Sequence, residues 1–439
     1  MTARMQKMEG EKGSADHPEP RDTFKIAYII HFLLGAGNLL PWNAFITAID
    51  YFGYLYPTKH IEKVFSVAYM SSSVLVLVIV MSWGGWSKQL GYRLRMNMGF
   101  CMFILSLMVA PVIDWSWSSS GPKGSSNGAY GVTVASVVVC GIADGLIGGS
   151  LIGAAGKLPK QYMQAVFAGT ASSGVLISIL RIITKASLPQ NPQGLQTSAH
   201  FYFIVSAIIL LCCTLSCNLL YKLPVMEQYY KLTPDDSLCP KPEFWAVARK
   251  IRWPAFGILM IYIVTLSIFP GFIAEDLTSK ILKDWYPVLL ITIYNVADFT
   301  GKSLTAIHVL KSIKKATWVC ILRLVFYPLF AACLNGPKWL KTEVTVAALT
   351  FMLGVTNGYL TSVLMILTPK SVSVSESELS AILMVVSLGI GILVLSVLKK
   401  IKIRLLFFTL HKAQLCLPNI PIHTPKADVT AAKRPQTCT

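Results

Sequence analysis

Long apolar stretches separated by short polar segments constrain the fold of this chain more than any other feature. A helix needs about 20 mostly apolar residues to cross the hydrocarbon core of a bilayer. Eleven stretches of about that length occur, at residues 26–48, 65–84, 97–114, 130–156, 163–187, 200–221, 255–275, 286–308, 317–334, 343–368 and 379–398. The sequence therefore predicts an all-α membrane protein with eleven transmembrane helices.

The composition agrees with a chain that faces lipid. Hydrophobic residues make up 54% of the chain and charged residues 14%, whereas soluble domains carry about 25% charged residues. The formal net charge is +18, but the basic residues fall in short loops and tails, and no base-stacking motif accompanies them. This distribution is typical of the positive-inside bias of membrane proteins, so the bilayer is the expected partner and nucleic acid is not.

The longest polar segment divides the chain, and it is too short to be a domain. We predict a cytosolic N-terminal tail at 1–25, a six-helix half at 26–221, a cytosolic linker at 222–254, a five-helix half at 255–398 and a basic tail of unknown role at 399–439. The excess of Lys and Arg in alternate loops places the N-terminus in the cytosol. The basic tail then lies outside, against the rule, and is interpreted as an ending that does not set topology. No cleavable signal peptide is predicted.

The stretch YNVADFTGKSL at 294–304 places two opposite charges inside an apolar segment. A charge at the bilayer centre costs about 2.5–3.5 kcal/mol on insertion scales. Asp298 and Lys302 are four residues apart and share one helix face with Asn295, so they can pair. This face suits a polar, hydroxyl-rich, uncharged ligand; the alternative is an ion pair that only joins helices.

Motifs for enzymes and metal sites are absent from the sequence. The GKS at 301–303 is not a phosphate loop, because Val296 occupies the position where such a loop needs glycine. His31 and His308 stand alone, and most of the ten cysteines lie in apolar stretches, where they are interpreted as small buried hydrophobic residues. We therefore expect neither enzymatic activity nor a cofactor, although proton coupling remains open.

Several other residues are candidates for a site. In PWN at 41–43, Trp42 can stack on a planar ligand or anchor the helix at the membrane interface. Pro41 and Asn43 are candidates for gating or structural roles, as are Arg181 and Arg323, which are placed near the ends of their spans. Short sequences echo between the halves, such as LPK at 158–160 and TPK at 368–370, which is typical of transporters built from repeats.

These residues carry a family resemblance. The chain resembles the equilibrative nucleoside transporters, and most of all their plant branch, over residues 22–398. The similar motifs, in order, are GAGNLLPWNAFITAIDYF, LPKQYMQAVFAGTASSGVLISILRIITKA, TLSIFPGF, YNVADFTGKSLTA, RLVFYPLF and NGYLTSVLMILTPKSV. The resemblance implies a major-facilitator-like 6+5 bundle that lacks a twelfth helix and moves nucleosides, and often nucleobases, by alternating access.

The resemblance also implies roles for particular residues. Asp298 and Lys302 would contact the ribose, although a lysine lacks the fork of the family's usual arginine. The side chains that would line the site with them are Leu39, Trp42, Phe269 and Asn295.

One position departs from the family. A glutamine that contacts the base in many members aligns with Gly148, and Asp144 lies one turn earlier. We hypothesise that Asp144 or a water molecule replaces the missing amide. The plasma membrane is favoured over the vacuolar membrane, a monomer is expected, and a channel or receptor is the alternative class.

Overall fold

The computed structural model describes residues 25–82, 91–117, 127–224, 226–227, 243–269, 279, 281–335 and 342–415, and regular structure in these ranges is entirely helical. The long helices there are α1 (Ile26–Thr47), α2 (Ile61–Ser82), α3 (Tyr92–Trp117), α4 (Asn127–Lys157), α5 (Lys160–Ser187), α6 (Pro192–Leu220), α7 (Phe244–Ile268), α8 (Trp285–Leu304), α9 (Ile313–Leu322 and Phe326–Asn335), α10 (Glu343–Lys370) and α11 (Val374–Leu415). A short helix, Ile49–Leu55, follows α1, and the 3-10 turn Arg323–Val325 joins the two parts of α9.

The helices have the length and composition of membrane spans. Within the described ranges, ten of them are long and apolar enough to cross a bilayer. The other, α8, has 20 residues and is less apolar because it contains Asp298 and Lys302. The architecture agrees with the predicted all-α bundle of eleven transmembrane helices.

Several predicted helix ends are wrong. Helix α6 begins at Pro192 rather than 200, and α7 begins at Phe244 rather than 255, inside the predicted linker. Helix α8 ends at Leu304 rather than 308, which leaves His308 exposed beyond it. The early starts of α6 and α7 arise because hydropathy identifies only the part of a helix that lies in hydrocarbon, whereas the hydrogen-bonded turns continue into the polar headgroup region. At α8 the apolar residues Ala306 and Ile307 extended the predicted span beyond the last helical turn.

Parts of the predicted layout lie outside the described residues, namely 1–24, 83–90, 118–126, 225, 228–242, 270–278, 280, 336–341 and 416–439. Met1–Leu398 form one compact unit and Lys399–Thr439 another. The division into halves therefore stays a prediction. Below, the N-terminal half means α1–α6 and the C-terminal half means α7–α11 up to Leu398.

Glycines allow several pairs of helices, among them α1–α5 and α8–α10, to pack backbone against backbone. A Cβ atom added at Gly169 of α5 would lie 1.9 Å from Phe32 O of α1, and one added at Gly358 of α10 would lie 2.1 Å from Asp298 O of α8. No side chain fits at such distances, and small residues are what permit this approach in membrane helices. The α8–α10 contact encloses the segment that carries Asp298.

Candidate functional site

Asp298 and Lys302 form a buried ion pair on α8. Asp298 Oδ2 and Lys302 Nζ are 2.9 Å apart, and the two side chains are 11% and 6% exposed. Their spacing of one helical turn brings them together on one face. Because a single charge inside a membrane is costly, each group lowers the cost of burying the other.

A chain of hydrogen bonds connects Arg323 of α9 to the carboxylate of Asp298. Arg323 Nη2 donates to Thr265 Oγ1 of α7 at 2.8 Å. Thr265 Oγ1 donates to Asn357 Oδ1 of α10 at 2.8 Å, and Asn357 Nδ2 donates to Asp298 Oδ1 at 2.7 Å. All three bonds run from the guanidinium towards the carboxylate. We call this the Arg323 chain; it fixes one carboxylate oxygen of Asp298, while Lys302 holds the other.

Arg323 lies in the middle of α9, and the sequence-based placement near the end of a span is wrong. The residue is 3% exposed and begins the 3-10 turn that interrupts α9. Pro328 lacks the N–H group that would bond to Leu324 O in a regular α-helix, which accounts for the break. The prediction failed because α9 begins at Ile313, earlier than hydropathy indicates.

Two residues of α8 reach the N-terminal half. Lys302 Nζ donates to Thr170 Oγ1 of α5 at 3.4 Å, and Asn295 Nδ2 donates to Ser178 Oγ of α5 at 2.8 Å. Asn295 and Lys302 thus both contact α5, whereas Asp298 between them is held by Asn357 of α10 and by Lys302. We call the α5–α8 contact the seam, and the ion pair lies beside it.

A second polar cluster lies between α1, α2 and α4. Ser73 Oγ donates to Asp144 Oδ2 at 2.6 Å, and the side chains of Asn38 and Tyr69 lie next to the same carboxylate. Trp42 stacks on Tyr69, with ring centroids 4.4 Å apart. The structure therefore brings the candidates Trp42 and Asp144 together, because Tyr69 lies between them. The sequence did not indicate this role of Tyr69.

The remaining candidates of α1 and α4 lie around this cluster or beside it. Gly148 is buried on α4, Leu39 packs against the hydrophobic core, and Pro41 is buried inside α1. Asn43 Nδ2 donates to Ser173 Oγ of α5 at 2.8 Å. Asn43 thus joins two helices of the N-terminal half and does not reach the other half through this bond.

Phe269 forms an aromatic stack at the end of α7. Its ring lies on that of Tyr294, with centroids 3.9 Å apart and an angle of 17° between the planes. Tyr294 lies one turn before Asp298 on α8, so the stack provides an apolar surface beside the ion pair. Pro270, the next residue of the motif, lies outside the described residues.

Polar contacts join the two halves at both ends of α5. Lys157, at the end of α4 and next to the start of α5, forms an ion pair with Glu378 of α11 at 2.6 Å. At the far end of α5, Lys185 Nζ donates to Asp284 O, the residue before α8, at 2.6 Å. We call these the Lys157 end and the Lys185 end.

Arg181 has a contact within the N-terminal half. It forms an ion pair with Asp50, which lies in the short helix after α1. The predicted position near the end of a span fits this contact, and the pair holds the end of α5 against the segment that follows α1.

Sequence reasoning missed several polar residues of the site, among them Asn38, Thr170, Thr265 and Asn357. Each is uncharged, and each lies inside an apolar helix that was selected only for its length. A search for amides and hydroxyls in the spans, in addition to charges, would have found them.

The fold resembles that of transporters of the major facilitator type. XylE, a proton:xylose symporter of the major facilitator superfamily, matches this chain with a TM-score of 0.55 at 12% identity, over 88% of this chain and 89% of XylE. At that identity the likeness shows the fold alone.

Sequence matches then give the family. The family model described as Nucleoside transporter matches residues 134–243 and 234–401. The chain is 64% identical to Equilibrative nucleotide transporter 8 of Arabidopsis thaliana, over 89% of this chain and 98% of that protein. It is 46% identical to Equilibrative nucleotide transporter 1 of the same plant, over 85% of each. The chain belongs to the equilibrative nucleoside transporter family, which confirms the predicted multi-pass membrane transporter and excludes the enzyme class.

Proposed function

We propose that this protein carries nucleosides across the plasma membrane by alternating access between its two halves. The Asp298–Lys302 pair supports this proposal most directly. It is a buried pair of opposite charges, it lies at the seam, and Lys302 also bonds to α5 of the other half. A ligand bound there contacts both halves, as a carrier of this fold requires.

The chemistry of the pair suits the sugar of a nucleoside. The Asp298 carboxylate accepts hydrogen bonds from hydroxyl groups, and the Lys302 ammonium donates to their oxygens. The pair is neutral overall, so it favours an uncharged nucleoside over a nucleotide with its charged phosphate. A free nucleobase has no sugar for these contacts and is expected to be the weaker substrate.

The apolar candidates complete the proposed site. Trp42 and Leu39 on α1 and Phe269 after α7 would form the walls around the substrate, and Asp144 with Gly148 would face the base. The substrate must also leave on the other side, so its binding has to be modest rather than tight.

The contacts at the ends of α5 support alternating access. Opening the site to one side of the membrane requires the halves to part at the Lys157 end, and opening to the other side requires them to part at the Lys185 end. With the N-terminus in the cytosol, as the distribution of basic residues predicts, the Lys157 end faces the cytosol.

Uptake of labelled adenosine and uridine tests the proposal, in cells that lack their own carriers. We expect saturable uptake by the unsubstituted chain and none by Asp298→Ala at equal surface expression. Gly131→Ala serves as the control, because a Cβ atom there meets nothing within 4 Å. Normal uptake by the Asp298 variant would overturn the assignment. Uptake that does not saturate would favour a channel, and sensitivity of concentrative uptake to a protonophore would establish proton coupling.

A further inference from the structure

Gly148 differs from its neighbouring glycines on α4. A Cβ atom added at Gly141 would lie 2.3 Å from Tyr69 O, and one added at Gly145 would lie 2.7 Å from Ser73 O. Those two glycines are needed for close packing of α4 on α2. At Gly148, by contrast, an added Cβ atom meets only the Asn38 amide within 4 Å among the described residues. A small side chain at Gly148 would therefore have room, and it would face the Asn38 amide rather than a helix backbone.

Asn38 presents an unused acceptor to that space. An added Cβ atom at Gly148 would lie 3.7 Å from Asn38 Nδ2 and 3.9 Å from Oδ1. The residue is 8% exposed, and Oδ1 has no hydrogen-bond partner among the described residues. The same amide lies next to the Asp144 carboxylate, which attracts its N–H groups and leaves the carbonyl oxygen free.

A buried carbonyl oxygen without a donor is costly, and most such groups in proteins have a partner. In a transporter, a substrate can supply the missing donor. The Asp144 carboxylate is a second acceptor beside it, with Oδ2 already bonded to Ser73. Two neighbouring acceptors match a ligand group that carries two N–H donors.

We propose that Asn38 determines base specificity, its carbonyl oxygen accepting from an exocyclic amino group of the base in the space at Gly148. Asp144 accepts the second hydrogen of that group. The inference rests on the proposed function and adds to it a substrate class, the nucleosides with amino-bearing bases. The Trp42–Tyr69 stack lies beside the Asp144 carboxylate, where it provides an aromatic surface for a planar base.

Two pairs of nucleosides test the assignment. Adenosine and inosine differ in having an amino or a carbonyl group on the base, as do cytidine and uridine. We expect the unsubstituted chain to prefer the amino-bearing member of each pair by more than about tenfold, because the bond to Asn38 alone is worth about 1.4 kcal/mol and the bond to Asp144 adds to it. Competition against uptake of labelled adenosine measures this ratio.

Asn38→Leu removes the carbonyl oxygen at similar volume, and we expect it to lower both ratios by about tenfold, since Asp144 still accepts one hydrogen of the amino group. Gly148→Ala is a second variant that does not disturb packing, because its methyl group makes only ordinary contacts with Asn38; it fills the space and is expected to erase the same preference. Gly131→Ala is expected to keep the ratios of the unsubstituted chain.

If the adenosine-to-inosine and cytidine-to-uridine ratios stay unchanged in both variants, the role of Asn38 is wrong while the proposed function stands. Equal affinities for the members of each pair in the unsubstituted chain would have the same meaning. If that chain reaches the cell surface and takes up no nucleoside at all, the proposed function itself fails.

Discussion

Removing one charge of the Asp298–Lys302 pair is expected to destabilise the protein more than removing both. Lys302→Met leaves the Asp298 carboxylate buried, with the Asn357 amide as its remaining bonded partner. Breaking a buried pair by removing one partner costs about 3–5 kcal/mol, whereas replacing both charges with neutral groups is often close to neutral. Asp298→Asn keeps an oxygen that can accept the bond from Asn357, so the double substitution retains that part of the Arg323 chain.

Transport is expected to respond differently from stability. The sugar would lose bonds to two charged groups, each worth about 1.5 kcal/mol or more. Together they amount to about 3 kcal/mol, or a loss of uptake of more than about 100-fold. Lys302→Met and Asp298→Asn should each lower uptake about tenfold or more, and the double substitution should lower it by more than about 100-fold, although the double substitution restores stability.

The two readouts come from one set of proteins. Thermal unfolding of the purified proteins in detergent, followed by tryptophan fluorescence, gives the stability, and uptake of labelled adenosine at equal surface expression gives the transport rate. Normal uptake by the double substitution would show that the pair only joins helices, the alternative raised by the sequence. A Lys302→Met protein as stable as the double substitution would refute the reasoning about the buried charge.

Two further predictions concern the Arg323 chain and the Lys157 end. Arg323→Lys keeps the charge but loses the planar fork, so we expect Asp298 to be less well oriented. The KM for adenosine should then rise about fivefold, which corresponds to a loss of about 1 kcal/mol. An unchanged KM would exclude such an orienting role. Glu378→Gln removes an ion pair worth about 0.5–1 kcal/mol, which should change the ratio of influx KM to efflux KM by about two- to fivefold. The control is Glu376→Gln, which removes the ion pair with Lys250 inside the C-terminal half and should not change that ratio. Equal effects of the two variants would contradict gating at the Lys157 end.

The ion pair could be predicted from the sequence because its geometry is local. Four residues separate Asp298 from Lys302, and a helix brings such residues together whatever surrounds it. Apolar length likewise identified the spans, because the thickness of the bilayer sets it. Helix ends such as Phe244 were missed, since polar turns outside the hydrocarbon leave no trace in hydropathy.

The partners of the pair could not be predicted in the same way. The Arg323 chain joins residues of α7, α8, α9 and α10, and these meet only through the packing of the four helices. Asn38 and Gly148 lie on α1 and α4 and are far apart in the sequence. Their proximity, and the contrast between Gly148 and the tightly packed Gly145, depend on distances between helices that no local pattern encodes.

The glycine contacts also distinguish the helix pairs that pack backbone against backbone from the seam. Among the described glycines, every added Cβ atom that would come within 2.5 Å of another helix's backbone does so inside one half. Examples are Gly141 of α4, which packs against α2, and Gly358 of α10, which packs against α8. The pairs α2–α4 and α8–α10 are six helices apart in the chain, as the two members of a repeat would be. The seam, in contrast, is bridged by side chains such as Asn295 and Lys302. Side chains can change rotamer and partner, whereas interlocked backbones cannot. In the proposed cycle, the locked pairs are therefore expected to move as rigid units, and the seam is expected to be the surface along which the two halves move past each other.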